Sequence, residues 1–168
     1  MVIKYVGKVS LKYKIYNMIT IEDFKIKHSN KVRFIGLDLG SKRIGVSICD
    51  ERESIATPFK TINKTNTNEL IDQLKVIIEK NNIGGIIVGN PVNMDGSLGR
   101  SAQSVNDVAS NISKSIDLPL ILWDERLSTV GAFNLSSQLD VNVSKRVKTI
   151  DQNAAAFILQ GAIDYLNN

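Results

Sequence analysis

The stretch that decides the fold is IGLDLGSKRIGV, residues 35–46. It joins two apolar runs, residues 34–39 and 44–49, through the four residues GSKR, a pattern typical of a β-hairpin. Asp38 interrupts the first run, and a carboxylate in a buried strand is costly unless a cation or hydrogen bonds compensate it. Asp38 is therefore either a turn residue of the hairpin or a functional acid whose glycine neighbours leave room for a ligand.

The rest of the chain alternates between strand-like and helix-like segments. A third strand at residues 55–62 contains Pro58, which requires an edge or bulged position. Apolar spacing and short apolar runs predict helices at residues 69–79, 100–113, 128–139 and 150–166, and strands at residues 83–88 and 118–123. This order predicts an α/β domain with a mixed five-stranded sheet, three antiparallel strands followed by parallel strands, flanked by helices.

Length and composition suit one domain. The 168 residues, 43% of them hydrophobic, predict a domain with its own core at residues 32–168 and an N-terminal extension at residues 1–31. Within the extension, residues 2–16 alternate like a strand, Thr20 and the acids after it are suited to open a short helix, and Met18 offers an alternative start. The net charge of +4 comes entirely from residues 1–30, so charge alone does not indicate nucleic-acid binding by the domain.

Cysteine content and hydropathy predict the compartment. Cys49 is the single cysteine and lies in an apolar run, so we expect an inert packed thiol in a reducing compartment. No apolar run approaches the roughly 20 residues of a membrane span, and the N-terminus lacks the apolar block of a signal peptide. The expectation is a cytoplasmic protein that does not enter a membrane.

Further acids occupy two other positions. Asp124 and Glu125 end the last predicted strand, at the edge where α/β sheets bind ligands. Neighbouring strand residues point to opposite faces, so only one of the two is expected to face Asp38, and the alternative is a strand end that pairs with Arg126. Asp151 precedes an alanine-rich segment. It either caps the last helix or joins the other acids, because small residues let this helix approach the sheet closely.

Gathered carboxylates favour a hard metal ion. One cysteine and one histidine in separate segments exclude a zinc site of the Cys/His type, whereas oxygen ligands suit Mg²⁺ or Mn²⁺. Two such ions activate a water and stabilise the leaving oxygen in phosphodiester hydrolysis. A metal-free acid–base pair and a glycosidase pair are the alternatives at this point.

Glycine-rich and basic segments near the acids suit phosphate. The loop at residues 88–101, VGNPVNMDGSLGRS, links a predicted strand to a predicted helix and is suited to present backbone N–H groups and Arg100 to a phosphate. An ordinary turn at Asp95 and Gly96 is the alternative. Further basic residues lie near the candidate acids along the chain. The candidate nucleic-acid-binding residues are Lys42, Arg43, Asn93, Arg100, Arg126, Lys145 and Arg146.

Four blocks together resemble the YqgF/RuvX family of Holliday junction resolvases and pre-16S rRNA nucleases. They are IGLDLGSKRIGV at residues 35–46, VGNPVNMDGS at 88–97, DERLST at 124–129 and DQNAAA at 151–156. The resemblance extends over residues 33–167. It departs at Asn90, where a larger apolar residue is expected.

The resemblance implies an RNase H-like nuclease domain with catalytic Asp38, Glu125 and Asp151. It implies ligation of Mg²⁺ or Mn²⁺ by Asp38, by Asp124 or Glu125, and by Asp151. The implied substrate is structured RNA, the 5′ end of pre-16S rRNA in ribosome biogenesis, with branched DNA as the alternative. We expect a monomer or weak homodimer.

Two other functions compete with this one. A non-catalytic nucleic-acid-binding RNase H-like module is the first, and retention of all three acids argues against it. An actin-like or sugar-kinase ATPase is the second, and it would need a second similar domain for which 168 residues leave no room.

Overall fold

The computed structural model describes residues 17–27, 32–127 and 143–168, without the side chains of residues 27 and 143–152. In chain order, the described elements are α1 (Ile21–Lys27), β1 (Arg33–Leu39), β2 (Arg43–Cys49), β3 (Ala56–Asn63), α2 (Thr67–Asn81), β4 (Ile83–Asn90), α3 (Arg100–Ser115), β5 (Leu120–Asp124), a 3₁₀ turn (Glu125–Leu127) and α4 (Val143–Asn167). The elements predicted between residues 34 and 123 are all present, with bounds shifted by a few residues. The strand predicted at residues 2–16 and the helix predicted at residues 128–139 lie outside the described residues.

The strands form one mixed sheet in the order β3-β2-β1-β4-β5. β2 pairs antiparallel with both β1 and β3, whereas β4 pairs parallel with β1 and β5. β3 lies at the edge, and its register with β2 shifts beside Pro58: Val46 pairs with Lys60, and Ser47 pairs with Pro58. The predicted mixed sheet is confirmed, as is the edge position of the strand that contains Pro58.

Helices cover both faces of the sheet. On one face, Ile35 and Leu37 of β1 pack with α2 and α3 in a core of isoleucine, leucine and valine that includes the fully buried Leu74. On the opposite face, Phe34 packs in a second core with α1 and α4. Side chains alternate between faces along a strand, so Asp38 belongs to the same face as Phe34. The α2–α3 face and the α4 face are named below by these helices.

Small side chains let α4 lie directly on the sheet. Ala155 is fully buried, and a Cβ added to Gly36 would lie 2.9 Å from its carbonyl oxygen and 2.7 Å from Leu159 Cβ. The buried Ser47 hydroxyl on β2 donates a hydrogen bond to the same Ala155 carbonyl at 2.7 Å. The close helix–sheet approach expected from the alanine-rich segment is therefore confirmed.

Residues 17–27 pack against the domain. The Ile19 N–H donates to Leu120 O on β5 at 3.0 Å, and Thr20 Oγ1 accepts from the Asp23 N–H at 3.1 Å where α1 begins. Phe24 of α1 is only 2% exposed. The helix expected after Thr20 is confirmed, whereas the division of the chain at residues 31 and 32 stays a prediction. Across the described residues, no helix has both the length and the apolar character needed to cross a membrane.

Candidate metal and nucleic-acid site

Asp38 lies near the end of β1 on the α4 face, among glycines. Gly36 precedes it on the same face, Gly45 is its partner on β2, and the register of β1 with β4 sets Gly89 beside it. These three residues, called the glycine bed below, carry no side chains, and the half-buried Asp38 lies among them. The positions that a Cβ would take at Gly36 and Gly89 are filled by α4 and, at Gly89, also by the Glu125 carboxylate. The Gly40 N–H donates to the backbone oxygen of Asp38 at 3.0 Å, a turn between residues two apart at the end of β1.

Glu125 begins the 3₁₀ turn after β5, and its side chain lies against Gly89. A Cβ added to Gly89 would come 2.5 Å from Glu125 Oε1 and 2.5 Å from Ile158 Cδ1 on α4. Burial raises the pKa of Glu125 to about 7, and the negative charges of Asp38 and Asp124 contribute to the increase. The structure therefore brings Glu125 and Asp38 into one electrostatically coupled pair.

Asp124 is instead paired with Arg126. The Arg126 guanidinium donates to both carboxylate oxygens of Asp124, at 3.0 Å from Nε and 2.6 Å from Nη2. These hydrogen bonds hold the pKa of Asp124 below its usual range. Arg126 Nη1 also donates to the Asn93 carbonyl at 3.4 Å, which ties this turn to the loop between β4 and α3. Asp124 is therefore the acid that pairs with Arg126 at the end of the strand, and Glu125 is the acid that lies near Asp38.

Asp151 lies within α4, one turn before Ala155, and its side chain is outside the described part. Because α4 begins at Val143, the prediction that this helix begins near residue 150 is wrong, and Asp151 is not in its first turn. Val143, Val147 and Ile150 have the i, i+4, i+7 spacing of a helix, and Lys145 and Arg146 are good helix formers, so the sequence does carry a signal for the longer helix. These two predicted phosphate ligands therefore lie in the helix rather than in a loop before it.

The direction of α4 carries the backbone of Asp151 towards Asp38. At the C-terminal end of the helix, Asn167 Nδ2 donates to Glu53 O. Glu53 follows the last residue of β2, so it lies at the opposite end of the strands from Asp38. From there back towards residue 143, the helix crosses the sheet at Ala155. The turn that contains Asp151 comes next, on the Asp38 side.

A cavity of about 460 Å³ opens at the end of the sheet that carries Asp38, and its volume is in the range of small-ligand sites. Asp38 and Glu125 line it, and Lys64 and Arg100 supply its basic groups. Its other lining residues are Leu39, Gly40, Ser41, Pro91, Ser101, Ser104 and Val105. The cavity therefore joins the two acids, the hairpin turn, the β3–α2 connection and the start of α3.

The loop between β4 and α3 is organised by Asn93. Its N–H donates to Ser97 O at 3.0 Å, its side-chain amide donates to Ser97 Oγ at 2.9 Å, and its carbonyl accepts from the Gly96 N–H at 2.8 Å. Asp95 accepts hydrogen bonds from the hydroxyl and N–H of Ser97, which lower the pKa of Asp95, and Gly96 has φ of +84°. The loop is shaped as expected, and the turn at Asp95 and Gly96 is part of that shape.

The remaining predicted basic residues lie on the hairpin. Lys42 is exposed in the turn, and Arg43 begins β2 as a half-buried residue. Their roles, like that of Asn93, stay predictions.

Lys64 was not identified from the sequence. The signal that could have found it is topological: β1 and β3 both pair antiparallel with β2, so they run parallel to each other and end at the same edge of the sheet. The residue after β3 must therefore lie near the edge that carries Asp38. No motif marks Lys64, and Ser101 and Ser104 of the cavity went unnoticed for the same reason.

Asn90 ends β4 beside Asp124. Its Oδ1 is buried and, among the described residues, has no hydrogen-bond partner. Asparagine in place of the expected apolar residue thus leaves an unsatisfied hydrogen-bond acceptor at the start of the loop that leads to α3.

The acid pair fits a hard divalent cation. Burial and mutual repulsion disfavour two ionised carboxylates at Asp38 and Glu125, and a cation held by both would offset that repulsion. The cavity that both acids line has room for such an ion. Among the side chains that the structure describes, no third potential ligand completes a three-ligand group. Asp151 is not among them, so its ligand role stays a prediction.

The sequence matches known proteins over most of its length. Residues 32–165 match the model of the RuvX family, described as a Holliday junction resolvase. A Pelagibacter ubique protein named "Putative pre-16S rRNA nuclease" is 94% identical over 151 residues, which are 90% of this chain and 100% of the relative. A protein of the same name from Rhodobacter capsulatus is 43% identical over 147 residues, 87% of this chain and 92% of the relative.

A solved structure shares the fold. RuvC of T. thermophilus, in complex with a Holliday junction substrate, superposes with a TM-score of 0.51 at 10% sequence identity, covering 76% of this chain and 91% of the RuvC chain. This likeness confirms the RNase H-like fold alone. The family model and the relatives go further and confirm the resemblance of the four blocks: the chain belongs to the RuvX family.

Proposed function

We propose that this chain is a metal-dependent nuclease that hydrolyses phosphodiester bonds at the 5′ end of pre-16S rRNA during ribosome biogenesis. The observation that carries the proposal is the coupled pair of Asp38 and Glu125 in one cavity with Arg100. The relatives named as pre-16S rRNA nucleases support the choice of substrate. The buried free thiol of Cys49 suits the reducing cytoplasm, where ribosomes assemble.

Asp38, Glu125 and Asp151 would hold Mg²⁺ or Mn²⁺, since all their donors are hard oxygens. When bound, the metal ions supply an activated water and stabilise the leaving oxygen of the broken ester. Asp124 contributes through Arg126, because its own oxygens accept the hydrogen bonds of that guanidinium. These hydrogen bonds support a role of Asp124 as an orienting residue and of Glu125 as the ligand.

The basic residues bind the backbone of the substrate. Arg100 lines the cavity with the acids. The exposed Lys42 belongs to the hairpin turn, whose residues Gly40 and Ser41 line the same cavity. Contacts of this kind fix the register of a strand without reading its bases. The flanking candidates are Arg43, Asn93, Arg126, Lys145 and Arg146.

A second candidate substrate is branched DNA. The family is described as a Holliday junction resolvase, and RuvC was solved with a junction. Resolution of a four-way junction requires two active sites, so this activity demands a homodimer, whereas cleavage of one RNA strand requires only a monomer.

The test is cleavage of matched substrates by the purified chain. We expect a 5′-extended 16S precursor to be cut in Mg²⁺ or Mn²⁺, and Asp38→Asn and Glu125→Gln to reduce cutting to background. Asp72→Asn, an exposed acid on α2, is the matched control and should retain the wild-type rate. Preferential cutting of junction DNA by a dimer would favour the resolvase. Salt-sensitive RNA binding without any metal-dependent cleavage would reduce the protein to a binding module.

A further inference from the structure

Lys64 is a basic side chain inside the catalytic cavity that the proposed function does not yet use. It is half-buried and lines the cavity together with Asp38, Glu125 and Arg100. Within the described part of the chain, its side chain makes no hydrogen bond or ion pair. Its charge is therefore available to a ligand in this cavity.

The backbone around Lys64 is held on both sides. The preceding Asn63 pairs with Arg43 across the β2–β3 hairpin, and the N–H of Lys64 itself donates to Lys42 O at 3.0 Å. Two residues later, the Asn66 side chain caps α2 by accepting a hydrogen bond from a backbone N–H at 2.9 Å. A lysine with a fixed base loses less conformational freedom when its ammonium binds a ligand.

Arg100 adds a second positive charge in an unusual place. It is the first residue of α3, where no side chain caps the helix and no acid occupies the first turn. A cation at the positive end of a helix dipole is unfavourable by itself. α2 follows the ordinary pattern, with Asn66 as its cap and Glu69 in its first turn. An anion bound at the start of α3 would offset both the helix dipole and the Arg100 charge.

We propose that Lys64 and Arg100 together hold a phosphodiester of the substrate strand beside the Asp38–Glu125 pair. Lys64 acts as a point charge, and the planar Arg100 guanidinium can bind two phosphate oxygens at once. The two cations offset the repulsion between the phosphate and the two carboxylates. The inference rests on the proposed function only in taking the bound strand to be the strand that is cut.

The test measures binding apart from cleavage. A fluorescent single-stranded RNA oligonucleotide is titrated with wild-type protein in EDTA over a series of KCl concentrations, and with Lys64→Gln, Lys64→Arg, Arg100→Gln and Lys75→Gln. Loss of one phosphate contact should lower the slope of log K against log salt by about 0.7. We expect this change, with several-fold weaker binding, for Lys64→Gln and Arg100→Gln, and retention of the wild-type slope by Lys64→Arg. Lys75 is an exposed lysine of α2, so Lys75→Gln should leave the slope unchanged.

Cleavage kinetics then separate the two proposals. If the wild type cuts RNA and Lys64→Gln raises KM more than it lowers kcat, both are supported. If the wild type cuts RNA but Lys64→Gln matches Lys75→Gln in slope and KM, the phosphate site is overturned and the nuclease stands. If RNA is bound with the expected slope changes but never cut, the phosphate site stands and the nuclease fails. Absence of wild-type RNA binding overturns the phosphate site, whereas absence of metal-dependent cleavage of the 16S precursor overturns the nuclease. Thermal melting checks that each variant is folded.

Discussion

The α2–α3 face of the sheet is filled with large aliphatic side chains, whereas the α4 face carries the glycine bed, Ala155, a buried serine and the acid pair. The two faces belong to the same strands. Along β1, Ile35 and Leu37 face α2 and α3, whereas Gly36 and Asp38 face α4. The aliphatic face stabilises the domain through burial of apolar surface. On the α4 face, Gly36 lets the backbone of α4 approach the sheet, and Gly89 makes room for Ile158 and the Glu125 carboxylate. Both faces bury an apolar core, which on the α4 face includes Phe34, Trp123 and Leu159, but only the α4 face also carries the acid pair.

The largest expected effect on stability comes from the aliphatic face. Leu74 on α2 is fully buried, so Leu74→Ala should lower the free energy of unfolding by about 3–4 kcal/mol. Val76, on the same helix and half exposed, provides the control, because Val76→Ala removes little buried surface. Denaturant unfolding measures the difference. Cleavage per folded Leu74→Ala molecule should match the wild type, and a specific loss of activity would show that this face also serves the site.

Overpacking the α4 face should combine a smaller stability loss with loss of function. A methyl group at Gly89 would collide with Glu125 Oε1 and Ile158, so Gly89→Ala should cost about 1–3 kcal/mol and displace the Glu125 carboxylate. Gly99→Ala is the matched control, because its nearest neighbour would be the Asn93 side chain at 3.4 Å and its φ of −76° suits alanine. Metal-dependent cleavage should fall to background only in Gly89→Ala. Equal activity of the two variants would contradict the assignment of Glu125.

The acid pair should make stability depend on pH. The folded protein binds a proton at Glu125 more tightly than the unfolded chain, because the pKa is raised from 4.5 to about 7. This contribution is fully present below pH 4.5 and is lost as the pH rises through about 7. In EDTA, the free energy of unfolding should therefore decrease between about pH 5 and pH 8, on the order of 1–2 kcal/mol after allowance for solvent screening.

Two variants and one ligand check this assignment. Glu125→Gln should flatten the pH dependence, whereas Glu79→Gln, at an exposed acid of α2, should preserve it. Addition of Mg²⁺ above about pH 7 should restore the stability of the wild type but not of Glu125→Gln. A pH profile that is the same for wild type and Glu125→Gln would show that another group is responsible.

Sequence patterns predicted the fold well because each element has an independent local signal. The hairpin follows from two apolar runs around residues 40–43, and the edge position of β3 follows from Pro58. The start of α4 was missed because the basic residues between positions 145 and 148 were interpreted as a polar connection, although Val143, Val147 and Ile150 have helical spacing.

The candidate site was only partly predictable for a different reason. Asp38 and Glu125 stand out in sequence because acids next to buried strands are costly. Which of Asp124 and Glu125 faces Asp38 depends on strand register and on the reach of Arg126, which one sequence does not express. The position of Lys64 in the cavity depends on three connections that lie together at one end of the sheet. A single lysine in a loop gives no indication of that arrangement in the sequence.

The adjacent acids give the smallest expected effect on stability and the sharpest contrast between the two faces. Asp124 follows Leu122 in strand alternation and belongs to the α2–α3 side, whereas Glu125 lies against Gly89 on the α4 face. The Asp124–Arg126 pair has side chains 27% and 38% exposed, so Asp124→Asn should change the free energy of unfolding by less than about 1 kcal/mol. Asparagine keeps one oxygen that can accept from Arg126, so metal-dependent cleavage should persist within a few fold, while Glu125→Gln should abolish it. If instead Asp124→Asn abolishes cleavage and Glu125→Gln does not, the ligand at the end of β5 is Asp124, and the chemistry does not belong to the α4 face alone.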